Sequence, residues 1–149
     1  MGRVFVYGTL QAPEVLEVLL GRIPERRPAM LRGYRRFRVR DRSYPGIVAS
    51  EEASSSVAGM LLDVSSQEEV ILDDFEGDEY VKQDVTVEGE LQRTEASAYV
   101  YRDRLGLSAV EWTYEAFRRE GLPDFLAMCE GYVREERQAK GIGTQFERL

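Results

Sequence analysis

The N-terminal part of the chain consists of short apolar runs separated by turn residues, a pattern that is typical of strands. Residues 3–7 are almost continuously apolar and predict a buried strand that ends at the segment 8–10. Pro13 suits the first turn of a short helix over residues 14–20, and Gly21 suits its end. The chain therefore begins as a strand, a loop and a helix.

Alternation of apolar and polar residues follows, which predicts strands with one face in water. Phe37 and Val39 alternate with arginines at positions 36, 38 and 40. Turn residues then lead into a short apolar pair at 47–48, and a polar loop precedes an apolar strand over residues 57–62. Up to this point the predicted order is one strand, one helix and three strands.

A helix start signal follows this strand. Ser65 and Ser66 each stand three residues before a glutamate, which is the pattern of a capping box. We predict a helix over residues 66–76 with Gly77 as its C-terminal stop. Two further strands are predicted, over residues 81–87 and 96–101.

Beyond Gly106 the apolar spacing is helical. We assign Trp112 and Phe117 to one helix and begin a second helix at Pro123, with apolar residues along one face. No internal repeat and no linker interrupts the chain. We therefore expect one α+β domain over residues 1–137, including its C-terminal helices, and a flexible tail over residues 138–149.

Composition limits the chemistry that this domain of 149 residues can perform. It has no histidine, which removes Ser-His-Asp and Cys-His pairs and histidine metal ligands, so carboxylates must do any acid–base work. A single cysteine, Cys129, excludes an intramolecular disulfide and fits a cytoplasmic location; we interpret it as an inert core residue. No apolar stretch approaches the roughly 18 residues of a membrane span, so we expect no membrane partner.

Charge is distributed very unevenly. The segment 22–42 contains nine arginines against two acids, whereas the whole chain has a net charge of −7. The alternation around Phe37 favours a solvated strand face, and the acidic remainder opposes a phosphate backbone, so we expect no nucleic-acid partner. The expected partner is a small molecule, and the oligomeric state stays open.

Five acids crowd the C-terminal end of the predicted helix 66–76, where the helix dipole favours cations: Asp73, Asp74, Glu76, Asp78 and Glu79. One interpretation is a solvated acidic corner. The alternative takes Glu76 as a base, because it follows the apolar Phe75 and because burial and like charges would raise its pKa. An EF-hand calcium loop does not fit the spacing, and a looser Mg²⁺ site has no phosphate-binding loop beside it; we predict no metal and no cofactor.

The segment Tyr7, Gly8, Thr9 and Leu10 lies between a strand and a helix start. Backbone N–H groups converge in such a loop and can hold an anion without a basic side chain, although a glycine after a strand is more often only a turn. Several tyrosines could add hydroxyl groups to a pocket. They are Tyr44, Tyr80, Tyr99 and Tyr101.

Taken in order, the motifs resemble the γ-glutamylcyclotransferase-like superfamily. They are VFVYGTL at residues 4–10, Tyr44-Pro45-Gly46, LDDFEG at residues 72–77, and Tyr80 before a strand. The segment WTYEAFRREGL at 112–122 and the later Cys129 are similar to the plant avirulence-induced-gene branch of that superfamily. The resemblance implies a small mixed β-barrel flanked by helices, here with a C-terminal helical extension.

The resemblance also implies an activity that needs no cofactor. The loop Tyr7, Gly8, Thr9 and Leu10 would hold the α-carboxylate of a γ-glutamyl substrate, and Tyr44, Pro45 and Tyr80 would complete the binding site. Glu76 would act as general acid/base while the substrate amine attacks its own γ-carbonyl and releases 5-oxoproline and an amine. Ring closure within one molecule mainly requires positioning and proton transfer.

Two departures from the superfamily pattern bear on the pocket. Lys82 stands where an arginine is common, and lysine lacks the planar fork that binds a carboxylate at two points. The segment 11–13 replaces a more basic, glycine-containing continuation. Two alternatives remain beside the cyclotransferase. The same pocket and Glu76 could serve another proton-transfer or cyclisation reaction, or the protein could be a non-catalytic binding module.

Overall fold

The computed structural model describes residues 2–139, in which a closed barrel and a second small sheet are flanked by helices. The strands are β1 (Gly2–Val6), β2 (Arg26–Arg32), β3 (Tyr34–Val39), β4 (Pro45–Ala49), β5 (Ser56–Val64), β6 (Tyr80–Glu88), β7 (Arg93–Tyr101) and β8 (Leu107–Glu111). The helices are α1 (Pro13–Leu20), α2 (Ser66–Glu76), α3 (Tyr114–Glu120) and α4 (Leu122–Ala139), with short 3-10 helices at Thr9–Gln11, Gly77–Glu79 and Arg104–Gly106.

The barrel contains both antiparallel and parallel strand pairs. Its strand order is β1-β5-β2-β6-β7, and it closes because β1 pairs antiparallel with β5 and parallel with β7. The remaining strands form a three-stranded sheet in the order β4-β3-β8. The prediction of an α+β fold with a small mixed β-barrel, flanking helices and a C-terminal helical extension is confirmed.

The helix boundaries follow the signals in the sequence. The Ser65 side chain accepts from the Glu68 N–H, and the Glu68 side chain accepts from the Ser65 N–H, so the predicted capping box is formed. Gly21 ends α1 and Gly77 ends α2, with φ values of 79° and 71° that favour glycine.

Two strands were not predicted. Strand β2 lies in the arginine-rich segment, where Ala29 and Leu31 face inward between exposed neighbours. Strand β8 contradicts the helical interpretation beyond Gly106, and Trp112 precedes α3 instead of belonging to it. The physical reason is strand pairing between distant segments. The short β8 pairs antiparallel with β3, and the local sequence around β8 does not reveal this partner.

Strand β1 is buried on both faces and separates two parts of the core. Phe5 and Tyr7 point into the barrel, whereas Val4 and Val6 pack beneath the helices. Cys129 is fully buried in the helical part, and burial raises the pKa of its thiol to about 12, which keeps it protonated. The cavity described below opens at the end of this doubly buried strand.

Helix α4 continues through Ala139, so it includes the first two residues of the predicted tail over 138–149. The rest of that tail lies outside the described residues. None of the helices within residues 2–139 combines the length and the apolar content that a bilayer crossing requires.

Candidate active site

One cavity of about 190 Å³ brings together all the residues that the sequence singled out as a site. It lies between the end of β1, the start of β4, the end of α2 and the middle of α4. The predicted residues in its lining are Tyr7, Gly8, Thr9, Leu10, Tyr44, Pro45, Glu76 and Tyr80. The cavity is smaller than the roughly 300–1,000 Å³ of pockets for drug-sized ligands, so it suits a group the size of one amino acid.

Gly8 is required in this lining by the close approach of Pro45. A Cβ atom at position 8 would stand 2.7 Å from Pro45 Cγ and 2.8 Å from Pro45 Cδ. The backbone at Gly8 itself has φ −128°, so the requirement comes from space. The segment Tyr44-Pro45-Gly46 is not a turn, as its residue types predict, because Pro45 and Gly46 begin β4 and pair with β3. The loop after β1 and the start of β4 therefore touch at the cavity wall.

The loop after β1 presents backbone donors. The carbonyls of Gly8 and Thr9 accept from Gln11 and Ala12 as the chain enters α1. Within residues 2–139, no hydrogen bond in a turn, loop or helix cap joins the N–H group of Gly8, Thr9 or Leu10 to a backbone carbonyl. Gly8, Thr9 and Leu10 line a cavity that has no lysine or arginine in its described lining, so an anion bound there would depend on backbone N–H groups instead of a basic side chain.

Arg36 fixes the start of this loop, and the expectation of a fully solvated arginine face is wrong at this position. The guanidinium donates to the carbonyls of Tyr7 (2.7 Å), Ala58 (3.0 Å) and Trp112 (3.2 Å). Its carbon also lies 5.4 Å from the centre of the Trp112 ring. The small sheet packs against the barrel here, so the side chain of Arg36 is enclosed while those of Arg38 and Arg40 remain exposed.

Glu76 is the last residue of α2 and faces the cavity. Burial and the nearby charge of Glu79 raise the pKa of its carboxyl to about 8, in the direction expected from the sequence. Its side chain forms no hydrogen bond or ion pair within residues 2–139. A carboxyl in this condition exchanges a proton near neutral pH instead of holding a fixed charge.

The neighbouring acids are engaged with tyrosine hydroxyls. Tyr99 donates to Asp73 (2.7 Å), Tyr132 donates to Asp74, and Glu79 accepts from both Tyr44 (2.9 Å) and Tyr101 (3.1 Å). The acidic corner is thus partly a set of acceptors that orient the aromatic rings around the cavity. This role combines the two interpretations that the sequence left open.

Tyr80 and Tyr44 hold their hydroxyl protons in bonds to the protein. Tyr80 donates to the Pro45 carbonyl (2.7 Å), which ties the start of β6 to the start of β4. Burial raises the pKa of Tyr80 strongly, and burial together with Glu79 raises that of Tyr44 to about 12, so both remain neutral at ordinary pH. Their hydroxyls position the wall and the Glu79 carboxylate.

Lys82, the residue noted as a departure, lies outside the lining of the cavity. Its ammonium group contacts Glu69 and lies 3.2 Å from Asp73. It therefore neutralises two acids of α2 and acts on the cavity only through Asp73 and its partner Tyr99. Within residues 2–139, no three His, Cys, Asp or Glu side chains converge in an arrangement that could hold a metal ion.

Sequence reasoning missed the side of the cavity that α4 provides. Phe125, Met128 and Tyr132 lie on this helix and line the cavity together with the residues that the sequence motifs identified. Their spacing of three and four residues places them on one helical face, which was the available signal. Such a face fits packing against the core, a partner surface or a cover over the pocket, and the local sequence favours packing without excluding the other two. Of the four tyrosines named from the sequence as possible pocket residues, Tyr99 also lines the cavity and Tyr101 does not. The lining residues that were not named as site residues also include Phe5, Val6, Phe75 and Glu79.

Comparisons with known proteins agree with this arrangement. A model of the family described as "Gamma-glutamyl cyclotransferase, AIG2-like" matches residues 4–117. The chain is 33% identical to AIG2-like protein C of Arabidopsis thaliana over 138 residues, 90% of this chain and 79% of that protein.

Solved structures show the same fold. A solution structure of an A. thaliana protein is 33% identical, has a TM-score of 0.64, and covers 93% of this chain and 92% of that one. A structure named gamma-glutamyl cyclotransferase, 14% identical with a TM-score of 0.62, covers 87% of this chain and 86% of that one. At that identity the second likeness concerns the fold alone.

Proposed function

The chain belongs to the AIG2-like gamma-glutamyl cyclotransferase family, and from that premise we propose that it is a cofactor-independent γ-glutamyl or γ-glutamylamine cyclotransferase. The observation that carries the proposal is the position of Glu76. This carboxyl is unpartnered, has a raised pKa, and shares a small cavity with the backbone donors of the loop after β1. A proton acceptor and an anion-holding loop are the two parts that the reaction requires.

The zwitterionic end of a γ-glutamyl group suits both parts. Its α-carboxylate would bind the N–H groups of Gly8, Thr9 and Leu10, and its α-ammonium would face the Glu76 carboxylate. The lining contains two acids, Glu76 and Glu79, and no basic side chain in the described part of the chain. Charge therefore favours the orientation in which the ammonium lies on the acidic side and the carboxylate lies on the loop.

The reaction itself is an intramolecular acyl transfer. Glu76 takes a proton from the α-ammonium, and the freed amine nitrogen attacks the γ-carbonyl carbon to form the ring C–N bond. The amide C–N bond then breaks, and the leaving nitrogen receives this first proton from Glu76. The Glu76 carboxylate next takes the second proton from the positively charged ring nitrogen and passes it to the released amine. The products are 5-oxoproline and an amine that leaves as its ammonium ion, and Glu76 is again a carboxylate. Positioning supplies much of the acceleration because the nucleophile and the electrophile belong to one molecule.

A pKa of about 8 for Glu76 suits this transfer. The α-ammonium of the substrate is a much weaker acid than an ordinary glutamic acid, so raising the pKa of the Glu76 carboxyl from 4.5 to about 8 reduces the free-energy cost of the proton transfer. An ordinary glutamate would hold the proton too weakly to receive it efficiently. The bound ammonium lowers the pKa of Glu76 again by its positive charge, which provides the carboxylate when substrate is present.

Mass-spectrometric detection of 5-oxoproline tests the proposal. Purified protein would be incubated with γ-glutamyl amino acids, γ-glutamyl amines and glutathione. Glu76→Gln would be compared with Asp78→Asn, which removes an exposed acid two residues away that lies outside the cavity. We expect product from the wild type and from Asp78→Asn, and none from Glu76→Gln.

The possible failures are distinct. No product from any substrate, with folded protein, would reject the cyclotransferase and favour another reaction or a binding module. Full activity of Glu76→Gln would support the cyclotransferase reaction but would show that Glu76 is not its general acid/base.

A further inference from the structure

The cavity has a wall that does not belong to the matched family segment. That match ends at residue 117, whereas Phe125, Met128 and Tyr132 lie beyond it on α4 and line the cavity. The side chains of this wall are a phenyl ring, a thioether and a phenol. Its composition can therefore be considered separately from the catalytic loop and Glu76.

This wall is held in a defined position. The Phe75 ring packs edge-on against Phe125 (6.2 Å between centroids) and against Tyr132 (5.1 Å). The Tyr132 hydroxyl donates to Asp74, which ties α4 to the end of α2. Such edge-to-face pairs have the geometry that aromatic rings prefer. The α4 wall is thus fixed to the same helix that carries Glu76.

Exposure identifies the mouth of the cavity. Phe5 and Val6 line its inner end and are almost fully buried, whereas Met128 is 45% exposed. Glu79 is the other exposed residue of the lining, so Met128 and Glu79 together mark the mouth. A cavity of about 190 Å³ is occupied by a group the size of one amino acid, so the rest of a larger substrate must extend past these two residues. The segment that extends there is the one that leaves as the amine.

Charge at the mouth is unfavourable to a second carboxylate. Glu76 and Glu79 line the cavity, and Asp74 lies behind Tyr132. The described lining contains no lysine or arginine. Arg42 lies against the Tyr44 hydroxyl but is not part of the lining, and its Nη1 donates to the neighbouring Asp41 carbonyl. A carboxylate on the leaving group would meet like charges and no cation in the lining.

Resting on the proposed function, we infer that the α4 wall selects the leaving group, and that the preferred leaving group is an apolar or aromatic amine without a carboxylate. Met128 is the residue that determines this choice at the mouth. Its flexible thioether packs well against a range of apolar and aromatic groups. Glutathione and γ-glutamyl amino acids, whose leaving parts each carry a carboxylate, are consequently poorer substrates.

Matched substrates test this inference. γ-Glutamyl-phenethylamide and γ-glutamyl-phenylalanine differ by one carboxylate, and γ-glutamyl-ethylamide lacks the ring. We expect kcat/KM for the phenethylamide to exceed that for each of the other two by at least about tenfold. Release of 5-oxoproline would be measured for all three with the wild-type protein.

Variants at the mouth provide the second measurement. Met128→Lys introduces a cation there, whereas Ala127→Lys introduces the same cation at the adjacent exposed residue, which does not line the cavity. We expect Met128→Lys to lower the ratio of kcat/KM for the phenethylamide to kcat/KM for the phenylalanine substrate by about tenfold. Ala127→Lys should keep the wild-type preference. Met128→Ala should lower kcat/KM for the phenethylamide by a larger factor than kcat/KM for the ethylamide.

The outcomes separate this inference from the proposed function. Production of 5-oxoproline with equal kcat/KM for all three substrates, or with preference for the phenylalanine substrate, would overturn the inference and leave the cyclotransferase intact. Equal effects of Met128→Lys and Ala127→Lys would show a general charge effect and would also overturn it. Absence of product from every substrate would instead reject the proposed function and, with it, the inference.

Discussion

The arginine-rich segment 22–42 and the acidic segment 73–79 look alike in sequence, because each concentrates charge of one sign. Each also sends one charged side chain inward, Arg36 from the first and Glu76 from the second. Arg36 donates to three backbone carbonyls and lies over the Trp112 ring. Glu76 makes no hydrogen bond within residues 2–139 and has a raised pKa.

The difference shows how burial assigns opposite uses to two charges. A partly buried cation whose Nε and Nη1 groups donate to backbone carbonyls stays charged and stabilises the fold. A partly buried carboxyl without donors is destabilised in its charged form, so it titrates near neutral pH and is available for chemistry. Both act on the same loop, since Arg36 binds the Tyr7 carbonyl, and the charge of Glu76 adds to burial in raising the pKa of the Tyr7 hydroxyl.

The largest expected effect is the loss of catalysis when Glu76, the carboxyl of this pair, is replaced. Glu76→Gln keeps the size of the side chain but removes proton transfer, so kcat should fall by about 10²–10⁴-fold. The free energy of unfolding near pH 7 should not decrease, because no hydrogen bond to Glu76 is lost. Steady-state release of 5-oxoproline and thermal unfolding would be measured together. A variant that unfolds more easily than the wild type would show that Glu76 is structural.

Removal of the positive charge of Arg36 should instead lower the stability of the fold. Arg36→Met leaves three carbonyls without their donor, and we expect the free energy of unfolding to fall by about 2–4 kcal/mol. Arg35→Met provides the control, because Arg35 is exposed and its guanidinium lies over the Phe37 ring; its loss should cost under about 1 kcal/mol. Urea unfolding of both variants checks this. Similar midpoints for the two would contradict a structural role specific to Arg36.

A smaller effect is expected where the loop after β1 meets the start of β4. Gly8→Ala places a Cβ atom 2.7 Å from Pro45 Cγ, so the loop or the start of β4 must shift. We expect a loss of about 1–3 kcal/mol in stability and a raised KM, since the shift moves the backbone donors.

A double-mutant cycle with Pro45→Ala isolates this contact. Pro45→Ala removes the ring that Cβ would strike, so the double variant should be less destabilised than the sum of the two single changes. Strict additivity of the two free-energy changes would show that the clash is relieved elsewhere and that Gly8 is not required by Pro45.

The sequence predicted those parts of the fold and the site that depend on local signals. The Ser65 capping box, the end of α2 at Gly77 and the placement of Glu76 beside Phe75 are written in adjacent residues. Strand β8 and the enclosure of Arg36 depend on pairing between distant segments, which no local pattern encodes. The α4 wall had a visible helical face, but which element that face would meet depends on tertiary packing.

The smallest expected effect concerns the pH dependence of stability. The pKa of Glu76 is about 8 in the folded protein, above its ordinary value of 4.5, so the fold binds a proton that the unfolded chain releases between these values. The resulting stabilisation is fully present below about pH 4.5 and is lost as the pH rises through about 8. Because the carboxyl borders an open cavity, we expect this loss to be about 1–2 kcal/mol.

Comparison with Glu76→Gln isolates the contribution of this one carboxyl, since both proteins share every other titrating group. Urea unfolding of the two proteins between pH 5 and pH 9 would give the difference in their free energies of unfolding. We expect the wild type to lose stability relative to the variant as the pH rises, and kcat/KM of the wild type to rise over the same range because the carboxylate accepts the proton. A constant difference in stability across that range would mean that Glu76 is ionised in the free protein at neutral pH. Arg36 and Glu76 would then both be permanently charged, and they would differ only in that, within residues 2–139, the Arg36 side chain is hydrogen-bonded and the Glu76 side chain is not.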